Sequence, residues 1–205
     1  TRRSVTAPPT RLLTMRPVVV LDACVLYQAA QRDFFMWLAA GGTIRVHWTN
    51  EIHEEWMRNV ERDYRVARSV LERVRRLMDR AAGDALIGHY RQYESLFAKT
   101  DAKDRHVAAA AVAARKRSEV DIVTIITWNL GDFDRKELAK VGVVAETPDA
   151  FLCRLLADSP EEVIAALVRM QNNLRHPRKT TRECVDTLSA QGLKKFAGLI
   201  SARIE

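Results

Sequence analysis

Short apolar runs alternate with amphipathic segments along most of this chain, and the alternation predicts a parallel α/β sheet. Apolar runs rich in β-branched residues lie at 18–22, 43–48, 121–127 and 141–144, and each predicts a strand. Helical patterns lie between them at 25–40, from about 50 to 81, around 90–97 and at 102–117. The predicted fold is therefore α/β, with three layers and a central parallel sheet of four to five strands flanked by helices.

The pattern between about 50 and 81 predicts one long helix. Its apolar stripe has alternating spacings of four and three and consists of Val60, Tyr64, Ala67, Leu71, Val74, Met78 and Ala81. Arginines greatly outnumber acids on the other faces, and this leaves two interpretations open. The arginines form either a solvated face with ion pairs along the helix or a basic ridge that faces RNA.

The strands stop after about residue 158, and helices follow. Thr147 and Pro148 predict a helix start, with the threonine as cap and the proline at the first helical position. Ser159 with Glu162 reads as a capping box that opens a helix to about 174, and two more helices are expected near 181–190 and after Gly192. The predicted organisation is a flexible tail at 1–17, a core domain at 18–157 and a small C-terminal helical extension at 158–205.

Composition narrows the class of protein. The chain has 205 residues, of which 47% are hydrophobic and 29% charged, and no apolar run is long enough to cross a bilayer. No export signal opens the sequence, so we expect a soluble, cytoplasmic protein without a membrane partner. The three cysteines are far apart, which argues against a disulfide framework or a zinc site. A net charge of +7 makes nucleic acid the first candidate partner.

Acidic residues follow the predicted strands at the edge where parallel sheets bind ligands. Asp22 closes the first strand, glutamates begin the helix after the second, and Asp132 follows the third. Asp101 and Asp104 open the alanine-rich helix. Each acid alone is most simply a helix cap or a partner of the helix dipole. Four sources of acid at one sheet edge, in a basic chain, favour a shared site instead.

Four carboxylates in one cleft repel one another unless divalent cations neutralise them. Ligand sets made only of oxygen suit Mg²⁺ or Mn²⁺ better than zinc. Such a site can activate water and stabilise the attacking and leaving oxygens of a phosphodiester. Acid-bound metals within a basic surface therefore indicate a nuclease.

Five segments, in this order, resemble the PIN-domain ribonucleases, in particular the VapC-like toxins of type II toxin–antitoxin systems. They are VVVLDACVL, TNEIHEEW, DAKDRHVAAAA, TWNLGDFD and ETPDAFL, and they span about 18 to 156. The resemblance implies a PIN-like fold and a metal-dependent endoribonuclease, often acting on tRNA or other structured RNA. It also implies a VapB-like antitoxin as partner.

The resemblance assigns roles to particular residues. The acids that match the catalytic and metal-binding positions are Asp22, Glu55, Asp104 and Asp132. The auxiliary candidates are Glu51, Asp101, Thr127 and Asn129. The candidates for RNA binding are Arg58, Arg62, Arg65, Lys103 and Arg105. Two histidines and two further acids are expected to be structural or surface residues, namely His53, His106, Asp121 and Asp134.

The chain departs from the minimal toxins of that family by continuing beyond ETPDAFL. The extension at 158–205 could pack on the core, form a homodimer contact, bind the antitoxin or hold RNA, and the sequence does not choose among these. Two further functions stay open on the same fold: a catalytically silent module that binds RNA or antitoxin, and a housekeeping nuclease without antitoxin. An aspartyl-nucleophile phosphotransferase would need a second Asp at position 24, where Cys24 stands. A DNA-binding regulator built on the C-terminal helices would leave the acids unexplained.

Overall fold

A four-stranded, all-parallel sheet forms the centre of the computed structural model, which describes residues 16–175 and 177–204. The strands are β1 (Val18–Leu21), β2 (Arg45–His47), β3 (Val123–Ile126) and β4 (Val143–Glu146), in the order β2-β1-β3-β4. This confirms the predicted α/β class and the four predicted strands. The predicted tail at 1–17 lies outside the described residues, except for its last two positions.

The strand order places a candidate cleft between β1 and β3. From β1 the chain crosses to β2 on one side and later returns to β3 on the other, so the direction of winding reverses between β1 and β3. Ligands bind at such switch points, beyond the carboxyl ends of the strands. Both strands are buried along their whole length, and Val19 pairs with Thr124 across them.

Ten α-helices and two short 3₁₀ turns surround the sheet in the described residues. The helices are α1 (Ala23–Tyr27), α2 (Ala29–Ala40), α3 (Asn50–Tyr64), α4 (Arg68–Ala81), α5 (Arg105–Ser118), α6 (Arg135–Lys140), α7 (Pro148–Asp158), α8 (Pro160–Asn173), α9 (Thr181–Ala190) and α10 (Lys194–Ile204). The 3₁₀ turns are Arg91–Leu96 and Leu130–Asp132. The short helix α6 was not predicted.

The prediction of one long helix from 50 to 81 is wrong. The chain breaks at Arg65, whose backbone is left-handed at φ 54° and whose N–H donates to the Glu61 carbonyl as α3 ends. Tyr64, which the apolar stripe placed inside, is 60% exposed. An apolar stripe with helical spacing does not distinguish one helix from two that turn back on each other, because each buries its own part of the stripe.

Helix α4 folds back along α3, and several arginines between them pair with acids. Arg68 Nη2 donates to both carboxylate oxygens of Glu54, and Arg75 Nη2 donates to Asn50 Oδ1 at 2.6 Å. Arg75 also lies 3.7 Å from Asp79. These contacts favour the ion-pair interpretation for the arginines that face α3. Exposed pairs of this kind contribute little stability, about 0–1 kcal/mol each.

Several predicted helix caps are present and one is wrong. The Thr49 and Thr147 hydroxyls accept the N–H groups of Ile52 and Ala150, as the sequence indicated. Ser159 makes no side-chain capping bond with any described residue, because its backbone (φ −144°, ψ 61°) does not adopt the usual capping geometry. The capping box lies one helix later and pairs Thr180 with Glu183.

The C-terminal helices pack on the rest of the fold. Helix α8 contacts α2, and α10 contacts α7. The Phe34 and Phe196 rings, from α2 and α10, have centroids 5.4 Å apart. Of the alternatives that the sequence left open for this segment, the structure shows packing on the core. The domain boundary at 157/158 remains a prediction, and the link between α8 and α9 includes residue 176, which lies outside the described ranges.

The three cysteines are free thiols, as their spacing predicted. In residues 16–175 and 177–204, none of the helices is long and apolar enough to cross a membrane.

Candidate metal centre

Asp22 lies at the carboxyl end of β1, where its side chain is held by three donors. Its backbone N–H continues the sheet by donating to the Ile126 carbonyl, and the residue then caps α1. Its Oδ1 accepts from Ala23 N at 2.6 Å, and its Oδ2 accepts from Thr127 Oγ1 at 2.6 Å and from Cys24 Sγ at 3.2 Å. The residue is only 2% exposed, so these bonds fix the orientation of a buried carboxylate.

Thr127 and Asn129 connect Asp22 to the loop after β3. The Thr127 hydroxyl donates to Asp22 and accepts from Asn129 N at 3.0 Å. The chain then forms the 3₁₀ turn that carries Asp132. Thr127 therefore orients Asp22, while Asn129 contacts Thr127 through its backbone N–H.

Three further carboxylates meet beside this loop. The N–H of Asp101 donates to the Asp132 carbonyl, and the N–H of Asp104 donates to the Asp101 carbonyl. The Asp101 side chain accepts from Lys103 N, which forms a turn and makes α5 begin at Arg105, three residues later than the pattern at 102–117 predicted. Carboxylate oxygens of Asp101, Asp104 and Asp132 all lie within 4.8 Å of one another. Asp101 and Asp104, which precede α5, therefore lie beside Asp132, which follows β3.

The donor set fits a divalent cation that binds oxygen. Asp104 is 5% exposed, and its Oδ2 has no hydrogen-bond partner in residues 16–175 and 177–204. A buried carboxylate oxygen without a donor is costly, so it indicates a missing cationic or hydrogen-bonding partner. The group consists of carboxylates and includes no cysteine or histidine, and such a ligand set suits Mg²⁺ or Mn²⁺.

Lys103 partly neutralises the negative charge of Asp132 and Asp104. Its Nζ lies 3.2 Å from Asp132 Oδ2 and 3.8 Å from Asp104 Oδ2. The hydrogen bond to Asp132 and the charge of Asp104 raise the pKa of Lys103. Because its side chain is 65% exposed and flexible, a more highly charged cation can displace the ammonium into solvent.

Electrostatic effects connect Asp104 with acids inside and outside the carboxylate group. Burial raises the pKa of Asp104 to about 7, with the charges of Asp22 and Asp132 adding to the effect and Lys103 opposing it. Burial also raises the pKa of Glu55, and the charge of Asp22 again adds to it. Asp22 therefore interacts electrostatically with Asp104 and Glu55, whereas the carboxylates whose oxygens lie within 4.8 Å of one another are those of Asp101, Asp104 and Asp132.

The two candidates for the second-strand acid, Glu55 and Glu51, differ in how far their carboxylates are already engaged. Glu51 Oε2 already accepts from Tyr90 O–H at 3.0 Å and from Arg91 Nη2 at 2.7 Å. Glu55 has a weaker neighbour, His106 Nε2 at 3.8 Å. The side chain of Glu55 therefore stays available for a cation or a water molecule, whereas that of Glu51 is engaged by the turn that contains Arg91.

The two histidines near the site differ in their contacts. His53 Nδ1 accepts from Trp56 Nε1 at 2.9 Å, which leaves Nε2 to donate to Asp79 Oδ1 at 3.2 Å. Burial lowers the pKa of His53 to about 4, so the ring is neutral at pH 7. Burial also lowers the pKa of His106, and its buried Nδ1 finds no partner within the described part of the chain.

The predicted RNA-binding cations fall into three groups. Lys103 and Arg58 act electrostatically on the acids, since both lower the pKa of Glu55. Arg105 instead donates to the backbone carbonyls of Thr100 and Ala98 and thereby holds the loop before α5. The remaining two lie at the far end of α3, where Arg62 pairs with Asp63 and Arg65 ends the helix.

Sequence reasoning missed Cys24 and Trp128 as neighbours of the site. Cys24 Sγ donates to Asp22 Oδ2 and accepts from Trp128 N at 3.3 Å. Burial and the charge of Asp22 raise the pKa of Cys24 to about 12, so the thiol stays protonated and acts as a donor. The only signal in the sequence was the position of Cys24 two residues after the strand-ending acid.

Comparison with known proteins gives one match. Residues 148–202, from the start of α7 into α10, match the family model described as the VapC50 C-terminal domain. Searches of the curated proteins and of the solved structures gave no match. The family match points to a VapC-like family. It does not reach the sheet or the acids, so it does not itself show a PIN domain.

Proposed function

We propose that this protein is a VapC-like, metal-dependent endoribonuclease that hydrolyses phosphodiesters of structured RNA, with tRNA as the first candidate, and that a VapB-like antitoxin neutralises it. The observation that carries the proposal is the carboxylate cluster of Asp101, Asp104 and Asp132, which includes a buried oxygen without a hydrogen-bond donor. The match of 148–202 to the VapC50 C-terminal domain supports the family. The net charge of +7 favours a polyanionic substrate.

Asp22, Asp104 and Asp132, together with Glu55, would hold Mg²⁺ or Mn²⁺. When bound, such a cation supplies the positive charge that lowers the pKa of water and stabilises the leaving oxygen of the phosphodiester. Thr127 and the protonated Cys24 thiol keep the Asp22 carboxylate in one orientation. Ligand groups fixed in this way need no reorganisation when substrate binds.

Glu55 and Lys103 are suited to act on the substrate side of the cluster. Glu55 is partly exposed and its pKa is raised, so it is the acid best placed to exchange a proton with water. Lys103 carries an exposed ammonium beside Asp132 and is suited to contact an RNA phosphate. Arg58, exposed one turn after Glu55 on α3, would extend that contact along the RNA backbone.

The test is cleavage of purified total tRNA by the protein with Mg²⁺ or Mn²⁺, with EDTA, and by the variants Asp22→Asn and Asp132→Asn. Asp121→Asn is the matched control, because Asp121 is exposed and lies outside the cluster. We expect products with 5′-phosphate and 3′-hydroxyl ends, and a loss of at least about 100-fold in both site variants and in EDTA. Cleavage that survives chelation and both substitutions would rule out the metal mechanism.

One observation favours a second function, a catalytically silent module that binds RNA or antitoxin. The Lys103 ammonium lies 3.2 Å from Asp132 Oδ2 and 3.8 Å from Asp104 Oδ2, so it can itself neutralise part of the charge of these acids. RNA that is bound but not cut with either metal would select this alternative. A small antitoxin reading frame beside the gene would distinguish a toxin from a housekeeping nuclease.

A further inference from the structure

The turn between α9 and α10 caps the N-terminus of α2. Gln28, the capping residue of α2, makes no side-chain capping bond with the described residues. Instead, Gln191 Oε1 accepts from Gln31 N at 3.0 Å, and Gln31 Nε2 donates to the Gln191 carbonyl at 3.2 Å. An N-terminal donor of α2 is therefore satisfied by a residue 160 positions later in the chain.

The same turn packs against Trp128 in the loop after β3. Gln31 is fully buried, and its Oε1 accepts from Trp128 Nε1 at 3.2 Å. Gly192 has φ +103°, and a Cβ at this position would lie 3.0 Å from Cζ2 and Cη2 of the Trp128 ring. The indole therefore donates a hydrogen bond to Gln31 and lies close to Gly192.

Trp128 in turn contacts the residues that orient Asp22. Its backbone N–H donates to Cys24 Sγ at 3.3 Å, and Cys24 Sγ donates to Asp22 Oδ2 at 3.2 Å. A continuous series of hydrogen bonds therefore runs through Gln191, Gln31, Trp128, Cys24 and Asp22, and we call it the Gln191–Asp22 chain. Asp22 and Gln31 are buried and the other three residues are half-buried, so these groups have few alternative hydrogen-bond partners.

We propose that the C-terminal helices position the metal site through the Gln191–Asp22 chain, with Gln191 and Trp128 as positioning residues for Asp22. The proposal rests on the proposed function in treating Asp22 as a metal ligand. It explains why a helical region remote in sequence is bonded to the loop that carries the acids. Residues that hold a ligand in place affect metal affinity without contacting the metal.

The test compares Gln31→Leu, which removes the bonds to the Gln191 carbonyl and to Trp128, and Trp128→Phe with wild type by two measurements. The first is hydrogen exchange of the segment 127–132 in EDTA, with α5 as an internal reference for global stability. The second is Mn²⁺ affinity by calorimetry. Gln171→Ala is the matched control, since its side chain donates to the Lys179 carbonyl in the C-terminal helical region and is not part of the Gln191–Asp22 chain.

We expect faster exchange at 127–132 and about 10-fold weaker Mn²⁺ binding in both variants, with α5 and the control unchanged. In EDTA the double variant Gln31→Leu, Cys24→Ala should accelerate exchange no more than the stronger single change, because both substitutions break the same chain. Unchanged exchange, or effects that multiply independently, would overturn the proposal. So would faster exchange with wild-type Mn²⁺ affinity. A wild-type protein that binds no Mn²⁺ would refute the proposed function, while exchange in EDTA would still decide whether the chain orders the loop.

Discussion

Replacing the buried Asp104 carboxyl by an amide of the same shape should stabilise the metal-free protein at alkaline pH. The side chain of Asp104 is 7% exposed, and one of its oxygens has no hydrogen-bond partner in the described residues. Burial, with the charges of Asp22 and Asp132, raises its pKa to about 7 from an ordinary value of 3.8. Asp104→Asn removes the cost of ionising this group in place.

The direction in which stability changes with pH follows from the order in which the unfolded and folded chains lose the Asp104 proton. Below pH 3.8 Asp104 is protonated in both the folded and the unfolded chain, so its ionisation does not lower the free energy of unfolding. As the pH rises towards 7, the unfolded chain ionises first and the folded state loses relative stability. A difference of about 3 pH units corresponds to about 4 kcal/mol. Relaxation and the exposed Lys103 ammonium reduce this, so we expect about 1–3 kcal/mol at pH 8.

Urea unfolding in EDTA at pH 5 and pH 8 measures the effect. Asp104→Asn should exceed wild type in free energy of unfolding at both values, with a difference about 1–2 kcal/mol larger at pH 8. Asp121→Asn, at an exposed position, should show no such pH dependence. Adding Mg²⁺ should stabilise wild type and leave Asp104→Asn unchanged, because binding to the folded state alone raises its stability.

Two results would refute this reasoning. If Asp104→Asn were less stable than wild type at pH 8, the carboxylate would have partners that the structure does not show. If the difference in stability did not change with pH, Asp104 would titrate at its ordinary value, and the repulsion among the acids that motivates the metal site would be absent.

Three further substitutions test separate parts of the structure. Lys103→Met removes the ammonium beside Asp132, so Mn²⁺ should bind several-fold more tightly when its affinity is measured by calorimetry. Weaker binding would mean that Lys103 does not compete with the metal. Arg65→Gly suits the left-handed φ of 54° and should raise the free energy of unfolding by about 0.5–1 kcal/mol, so a decrease would argue against the break between α3 and α4. Gly142→Ala would put a Cβ 2.5 Å from the Asp121 carbonyl at φ +69° and should cost at least about 2 kcal/mol in thermal unfolding; an unchanged melting temperature would contradict this turn geometry.

Local signals explain why much of the fold could be predicted from the sequence. The β-branched runs that became β1 and β3 are buried throughout, as central strands require. Thr147 and Pro148 start α7 because a cap and a first-turn proline act on their own neighbours. The position of Asp22 followed from the abrupt end of an apolar run.

The features that escaped prediction depend on contacts between distant parts of the chain. The break at Arg65 is stabilised by α4 folding back on α3, which the spacing of apolar residues does not record. Ser159 looked like a capping residue, but its backbone adopts another conformation. The contacts of Trp128 with Gln31 and Cys24 join residues about 100 positions apart, so no local sequence motif predicts them.

The most direct test of the central claim is anomalous diffraction from crystals soaked in Mn²⁺. We predict a peak among the carboxylates of Asp22, Asp104 and Asp132, about 2.0–2.3 Å from their oxygens, with the Lys103 ammonium displaced from Asp132. A crystal that takes up Mn²⁺ elsewhere, while Lys103 stays on Asp132, would contradict the assignment of these acids as a metal centre.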